Sequence, residues 1–273
     1  MVGPPLVGII LDKTNGSNDN EKSYTLAFVC AIIFSVFTAF SIGIVNPKFH
    51  KPASKIWKKS SELVKNLNIM LFFALLITMG SVAGFQTTYR NWYLKELGAS
   101  DLLTGIISGV DALYGIPFLC KSKWCINKVG VRHVFILGLL GHVVYSFSFS
   151  AMEEPWIALI IESTTILSYH LFWVAVIQYS DEIAPDGLVA IMKILAGSLH
   201  YNIGKLGSTF VGGYVMNTYG GRTAFTVLGC IALAYTFVYG SYLIIQRLKQ
   251  KKVRITLESP SAKEIPEENP NFT

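Results

Sequence analysis

Long stretches without a charged residue divide this sequence, and they constrain its fold more than any other feature. Four of them match the roughly 20 residues that a helix needs to cross a bilayer: Ser23–Pro47, Leu67–Tyr89, His133–Met152 and Thr223–Gln246. Only 15% of the residues are charged and 52% are hydrophobic, whereas soluble globular domains carry about a quarter charged residues. The sequence therefore predicts a membrane protein.

Three further apolar stretches carry isolated ionisable residues and are also predicted to be spans. They are Leu102–Cys120 with Asp111, Pro155–Tyr179 with Glu162 and His170, and Leu188–Tyr219 with Lys193, His200 and Lys205. Residues 1–12 are apolar but too short to span, and they lack the features of a signal peptide, so we expect them to be the end of a truncated helix. The predicted fold is an all-α, polytopic transmembrane bundle of seven full helices and one truncated helix.

The distribution of basic residues predicts the orientation, because Lys and Arg close to the ends of spans are retained in the cytoplasm. Alternate sides of the predicted spans hold sixteen and five of them, which places the C-terminus in the cytoplasm. Asn15 begins a glycosylation acceptor triplet, Asn-Gly-Ser, that falls on the outer side. The net charge of +6 is explained by contact with anionic membrane lipid, for example through Lys55–Lys65, so nucleic acid is not an expected partner.

No motif in the sequence indicates an enzyme or a cofactor. The nucleophile elbow, the phosphate-binding loop and the zinc-binding His-Glu helix are all absent. The spacing of the four cysteines, Cys30, Cys120, Cys125 and Cys230, is typical of neither a metal site nor a disulfide framework. We therefore expect no enzymatic activity, no metal and no cofactor.

A weak internal repeat relates the two ends of the chain. Gly3, Val7, Gly8 and Gly16 recur at a constant offset of 204 residues as Gly207, Val211, Gly212 and Gly220. This offset aligns the truncated helix and the first full helix with the last two helices. Transporters built from two six-helix halves, related by an axis along the membrane normal, have this kind of parallel symmetry.

The residues between about 67 and 246 resemble a known family. The residues on which this resemblance rests are Pro155-Trp156, Glu162, Phe172-Trp173-Val174-Ala175, Tyr179-Ser180, Ala184-Pro185, Gly197, Gly204, Gly207, Gly212-Gly213, Gly220 and the segment Tyr93–Ser100 with Gly105. They resemble the major facilitator superfamily, in the branch of major facilitator superfamily domain-containing protein 6 and its relatives. Relatives tend to have a glutamate where this chain has Gly115, which puts coupling through that carboxylate in doubt.

The resemblance implies a domain organisation for the chain. Residues 1–46 would be the end of the N-terminal half, comprising part of helix five and all of helix six, and residues 47–66 a basic cytoplasmic linker. Residues 67–247 would be the C-terminal six-helix half, and residues 248–273 a disordered cytoplasmic tail. Met1 could be an internal methionine of a longer reading frame, and a half that lacks helices one to four is not expected to transport alone.

Ionisable residues at membrane depth are candidates for function, because their burial is costly unless they face protein or water. Glu162, Tyr169 and Trp173 lie at positions i, i+7 and i+11, which predicts one helical stripe. A carboxylate beside aromatic rings could bind a cationic or hydroxylated solute, and it could exchange a proton between two access states. The alternative is a structural hydrogen bond to a neighbouring helix.

The span Leu188–Tyr219 sorts into two faces. Gly197, His200, Gly204 and Gly207 form one stripe, and with Gly212 and Gly213 the small residues of this region predict close helix packing. Asn202 and Lys205 belong to a second, polar stripe that could line a cavity. Lys205 could then attract an anionic group of the solute or pair with Glu162.

Four other residues are weaker candidates for a role in transport. His170 and His200 could relay protons or simply pack, and Asp111, one helical turn before Gly115, could replace the carboxylate that relatives carry there. Arg90, at the outer end of the first helix of this half, could gate an entrance or extend to lipid headgroups.

These features predict a fragment of a secondary-active transporter, an alternating-access carrier of a small polar solute that could be proton-coupled. The alternative is a membrane receptor or interaction protein that uses a transporter scaffold without transporting a solute. A carrier needs polar residues at the midplane of the membrane, whereas a receptor does not. The expected location is the plasma membrane or an internal membrane, with the missing N-terminal helices as a possible partner.

Overall fold

The computed structural model describes residues 25–45, 66–185 and 187–258. Within these ranges the chain forms seven helices: α1 (Thr25–Val45), α2 (Leu67–Glu96), α3 (Asp101–Val129), α4 (Val131–Ala151), α5 (Pro155–Ile183), α6 (residues 189–219) and α7 (residues 221–258). Each of the seven predicted spans coincides with one of these helices. The truncated helix, Asn15 and the linker at residues 47–65 lie outside the described residues.

Five of the helical segments are long and apolar enough to cross a membrane, and the last of them, Val189–Lys249, covers 61 residues. This length is about three times what one span requires. Gly220 divides the segment, because its φ of 77° and ψ of 166° are not helical and are accessible essentially to glycine alone. The segment is thus two spans, α6 and α7. With α1, which contains the shorter apolar stretch Ile32–Ser41, the predicted polytopic helical fold is confirmed.

Local sequence fixes the helix ends. The side chains of Asn66 and Ser100 accept hydrogen bonds from the backbone N–H groups of Asn68 and Leu103 and so cap α2 and α3. Gly130, with a φ of 88°, separates α3 from α4. At its other end, α7 continues to Glu258. Residues 248–258 are therefore helical, although the sequence predicted disorder from residue 248 onwards.

Two of the helices are irregular in their middle. In α5, 3₁₀ and α-helical turns lead into a π-helical turn at Ile166–Leu171. In α6, a second π-helical turn, Ser198–Gly204, follows the α-helix Val189–Gly197. Turns of this kind are rare and are often found at functional sites. Both of them lie at the centre of their spans.

The outer surface of the bundle is apolar, as a membrane requires. Phe34 in α1, Phe210 in α6 and Phe237 in α7 are each at least two thirds exposed. In water such a surface would aggregate, whereas in a bilayer it faces lipid tails of the same polarity. The interior contains two large apolar clusters, one with Phe149 and Phe225 and the other with Phe72 and Phe135.

Polar side chains lie between these two clusters. On α4 the apolar contacts stop at Leu139 and resume at Val143, with the buried His142 between them. On α5 the gap between Ile161 and Leu171 contains Glu162, which is fully buried. The fold therefore places a polar layer at mid-height of an apolar bundle.

Candidate functional site

A cavity of about 270 Å³ opens in the polar layer, between α2, α3, α4, α5 and α6. Its walls combine four charged side chains, two imidazoles and three tyrosines with small residues. The lining residues are Gly80, Ala83, Gly84, Gln86, Thr87, Arg90, Asp111, His142, Tyr145, Glu162, Thr165, Ser168, Tyr169, His200, Tyr201 and Lys205. The cavity thus contains five of the eight residues that the sequence suggested for binding or coupling, together with Arg90.

An ion pair between Arg90 and Glu162 lies at the centre of one wall. Arg90 Nη1 is 3.0 Å from Glu162 Oε1, and the two side chains are 13% and 0% exposed. The hydroxyl of Tyr145 donates to the same oxygen at 3.1 Å. The other oxygen, Oε2, has no hydrogen-bond partner among the described residues. Arg90 therefore does not extend to lipid headgroups, because its guanidinium is drawn inward by the buried carboxylate.

Asp111 contributes a second carboxylate from α3. Its Oδ1 accepts a hydrogen bond from the hydroxyl of Thr165 at 2.7 Å and lies 3.8 Å from Nε2 of His170. Nη2 of Arg90 donates to the hydroxyl of Ser108, one helical turn before Asp111, at 2.8 Å. Arg90 and Asp111 thus connect α2, α3 and α5 through polar contacts within a single cavity.

His170 is behind Asp111 and does not line the cavity. Its ring fills the space beside Gly115, where a Cβ atom would lie 2.5 Å from Cε1 of the imidazole. Its Nε2 also lies 3.3 Å from the backbone carbonyl oxygen of Asp111. In this chain an imidazole from α5 therefore occupies the place that a side chain at position 115 would take.

A hydrogen-bonded network on α2 and α4 was not predicted from the sequence. Nδ1 of His142 lies 2.7 Å from Oε1 of Gln86, and Nε2 of Gln86 donates to the hydroxyl of Ser146 at 3.0 Å. His142 is 2% exposed, and its Nε2 has no hydrogen-bond partner among the described residues. The signal in the sequence was the spacing of His142, Tyr145 and Ser146, which puts three polar side chains on one face of an apolar span.

Tyr169 and Tyr201 meet across the cavity. Their hydroxyl groups are 2.8 Å apart, and each side chain is more than a third exposed. They come from the two π-helical turns, which face each other at this point. Trp173 packs behind them, with its ring 5.1 Å from the rings of both His200 and Tyr201.

The predicted stripe of Glu162, Tyr169 and Trp173 is therefore only partly correct. Glu162 and Tyr169 line the cavity, but Trp173 does not. The physical reason is the π-helical turn Ile166–Leu171, which has more residues per turn than an α-helix and rotates the residues that follow it.

The polar face predicted for α6 divides in a similar way. Lys205 and Asn202 are both exposed, but only Lys205 lines the cavity. Glu162 pairs with Arg90, and no carboxylate within the described ranges lies within 4.0 Å of the ammonium group of Lys205. The predicted alternative of a Lys205–Glu162 pair is thus wrong in this structure.

Some of the predicted packing glycines are at helix contacts, and others are not. A Cβ atom on Gly204 would lie 2.6 Å from the carbonyl oxygen of Ile77, and one on Gly212 would lie 2.6 Å from the ring of Tyr89. A Cβ atom on Gly213 would lie 2.9 Å from the hydroxyl of the same tyrosine. Gly197 and Gly207, by contrast, have open space around them. Gly80 and Gly84 of α2, which the sequence analysis did not single out, also lie at the contact between α2 and α6.

His200 is a packing residue that also borders the cavity. It is 3% exposed and packs between Phe172 and Trp173, yet it also lines the cavity. Its Nδ1 has no hydrogen-bond partner among the described residues. No group of three or more His, Cys, Asp or Glu side chains converges as a metal site in the part of the chain that the structure describes.

Three comparisons with known proteins agree with this architecture. The sequence model of the MFS_1 like family matches residues 1–227. The chain is 25% identical over 207 residues to the uncharacterized transporter YwbF of Bacillus subtilis, covering 76% of this chain and 50% of that protein. It is 24% identical over 209 residues to the major facilitator superfamily domain-containing protein 6-like of Mus musculus, covering 76% and 35%.

A solved structure shares the fold. The crystal structure of the nucleoside transporter NupG, in its D323A mutant, aligns with a TM-score of 0.62 and 12% identity, covering 70% of this chain and 53% of that one. The chain thus spans about half the length or less of the relatives it matches. By sequence and by fold it is a multi-pass integral membrane protein of the MFS_1 like family, in the branch of the major facilitator superfamily that includes domain-containing protein 6.

Proposed function

We propose that this chain is part of an alternating-access carrier for a small polar solute, and that the cavity around Glu162 is its share of the transport site. The observation that supports this most is the buried Arg90–Glu162 pair, which borders the cavity with one carboxylate oxygen left free. Charged groups at membrane depth are costly and are retained where they face a solute pathway or an ion relay.

In this proposal, residues 67–247 form the C-terminal six-helix half, residues 1–46 the end of the N-terminal half and residues 47–66 the linker between them. The C-terminus is cytoplasmic, as the distribution of basic residues indicates. The two halves would rock around the site and open it to each side of the membrane in turn.

Glu162 is the group that we propose for proton exchange. Its Oε1 is held by Arg90 and Tyr145, whereas its buried Oε2 has no hydrogen-bond partner among the described residues, so a proton can be added to Oε2 without breaking a bond. Protonation would weaken the attraction to Arg90, which joins α2 to α5. A proton could therefore change the contact between two helices that border the site.

The polar cavity also favours a carrier over a receptor that uses a transporter scaffold. A receptor needs an outer surface that its partner recognises, but it gains nothing from imidazole, carboxylate and ammonium groups in the middle of the bundle. Here one cavity is lined by several buried or half-buried polar residues, among them Gln86, Arg90, Asp111, His142, Glu162 and His200.

Uptake by proteoliposomes tests the proposal even though the solute is not identified. The full-length protein would be offered a mixture of hydrophilic metabolites extracted from cells, and the solutes retained inside would be identified by mass spectrometry. We expect at least one solute to accumulate with the wild type and not with Glu162→Gln. Accumulation of none, or equal accumulation by both proteins, would argue against the proposed carrier.

A further inference from the structure

Lys205 lies close to the middle of its span. It is the seventeenth residue of α6 (residues 189–219), so about 24 Å of helix precedes it and about 21 Å follows it at 1.5 Å per residue. It cannot reach either membrane surface from there, because a lysine side chain is much shorter than this. Its side chain is exposed in this structure and lines the cavity, which is where the ammonium group can be solvated.

The backbone around Lys205 is held against α2. A Cβ atom on Gly84 would lie 2.6 Å from Cα of Lys205 and 2.8 Å from its Cγ. The absence of a side chain at Gly84 therefore lets the stem of the lysine lie across α2 at the edge of the cavity that both residues line.

The other charged groups of the cavity have partners. Arg90 and Glu162 pair with each other, and Asp111 accepts from Thr165 and faces His170. For comparison, Lys95 and Lys193, nearer the ends of their spans, pair with Asp101 at 2.6 Å and Asp181 at 2.7 Å. Lys205 is the one lysine at mid-depth of the described residues, and no described carboxylate lies within 4.0 Å of it.

We infer that Lys205 binds an anionic group of the transported solute. This inference rests on the proposed carrier function and adds the chemical class of its substrate. An ammonium group is a compact charge with three donors and sets no planar geometry, so carboxylate, phosphate and sulfonate groups would all satisfy it. Glu162 lines the same cavity, and its Oε2, buried in this structure and without a hydrogen-bond partner among the described residues, would take a hydrogen-bond donor from another part of the solute.

The solute predicted by these contacts is a small organic anion that also carries an O–H or N–H group. Tyr169 and Tyr201, which lie in the same cavity, would cover its apolar part. A neutral solute would leave the ammonium group without a counter-charge, and a dication would be repelled by it. Lys205 therefore acts in this proposal as the residue that determines the charge of the substrate.

Reaction rates of a cysteine beside Lys205 test this inference. The reporter is Tyr201→Cys, one helical turn before Lys205, in a full-length protein whose native cysteines are replaced by serine. It would be treated with sulfonatoethyl methanethiosulfonate, an anion, and with trimethylammonioethyl methanethiosulfonate, a cation. We expect Lys205→Gln to lower the ratio of the anionic to the cationic rate by about tenfold or more, and Lys205→Arg to preserve it. As the control, the ratio at Glu153→Cys, in the outer loop, should not change.

A ratio that stays the same in Lys205→Gln would overturn the inference, because it would mean that a carboxylate elsewhere in the full-length protein neutralises Lys205. If Lys205→Gln does not fold, acetate and acetamide provide a second test on the protein with Lys205 intact. Acetate should slow the labelling of Tyr201→Cys by the anionic reagent more than acetamide does, and equal effects would overturn the inference. Loss of metabolite uptake in the proteoliposome assay, by contrast, concerns the carrier function and not the role of Lys205.

Discussion

Arg90 and Glu162, 72 residues apart in the sequence, form a buried ion pair that joins α2 to α5, with Nη1 3.0 Å from Oε1. Tyr145 of α4 donates to the same carboxylate oxygen, and Ser108 of α3 accepts from the same guanidinium. Four of the helices around the cavity therefore meet in one set of polar contacts. A change in the charge of Glu162 would therefore alter contacts that involve all four helices.

Removal of Arg90 should destabilise the protein strongly. Arg90→Ala leaves the carboxylate of Glu162 buried without a counter-charge, and loss of one partner of such a pair typically costs about 3 kcal/mol or more. The double variant Arg90→Ala with Glu162→Gln should recover a large part of this loss. Thermal unfolding followed by fluorescence-detected chromatography would measure both. An Arg90→Ala protein as stable as the neighbouring Thr87→Ala variant would show that the pair contributes little.

If Glu162 exchanges protons as proposed, its replacement by glutamine should remove the dependence of uptake on a proton gradient. The glutamine side chain would retain a hydrogen-bond acceptor for Arg90 and Tyr145, but it has no carboxylate to protonate. We expect uptake by Glu162→Gln proteoliposomes, if any remains, to be the same with and without an imposed pH gradient, whereas the wild type responds to it. A Glu182→Gln variant, at the exposed C-terminal end of α5, is the matched control. A gradient response that persists in Glu162→Gln would exclude the proton role of this residue.

An alanine at position 115 should conflict with His170. Its Cβ would lie 2.5 Å from the imidazole, so either the ring or the packing of α5 against α3 must shift. Overpacking of this kind costs about 1–3 kcal/mol. The loss in thermal stability should be smaller in Gly115→Ala with His170→Ala than the sum of the two single losses. Additive effects would mean that the two positions do not interact.

The contact between α2 and α6 should tolerate a methyl group at Gly197 but not at Gly204. A Cβ at position 204 would meet backbone atoms of α2, which cannot turn away as a side chain can, whereas Gly197 has open space. We therefore expect Gly204→Ala to lower the unfolding temperature and Gly197→Ala to leave it unchanged or raise it, since alanine favours a helix. Equal effects at the two positions would contradict the packing described for this contact.

The fold was largely predictable from the sequence, because the length of an uncharged stretch is set by the thickness of the bilayer. All seven spans were recognised, including α3, α5 and α6, which contain ionisable residues. The end of α7 was missed, since the charged residues after Leu248 signal the end of a span but not the end of a helix. An uncharged stretch shows where a span lies, but it does not show how far the helix continues beyond the span.

The site was predicted in part. Charged residues within a span or at its end were recognised in the sequence, because a charged group in lipid has a high free-energy cost. Four of them, Arg90, Asp111, Glu162 and Lys205, line the cavity. Their partners could not be assigned, because pairing between helices depends on rotations that a single sequence does not specify. Trp173 was displaced by the π-helical turn, and His142 was overlooked because a histidine does not interrupt an uncharged stretch.

Access to the cavity from the two sides of the membrane tests the central claim most directly. Thr87, which is exposed and lines the cavity, would be replaced by cysteine and treated with an impermeant maleimide in right-side-out and inside-out vesicles of the full-length protein. Glu153→Cys, just before α5, and Glu182→Cys, at its C-terminal end, which the proposed topology places on opposite sides of the membrane, calibrate the two orientations. The carrier account predicts that Thr87→Cys reacts from both sides while each control reacts from one. Reaction of Thr87→Cys from one side only, or from neither, would contradict it.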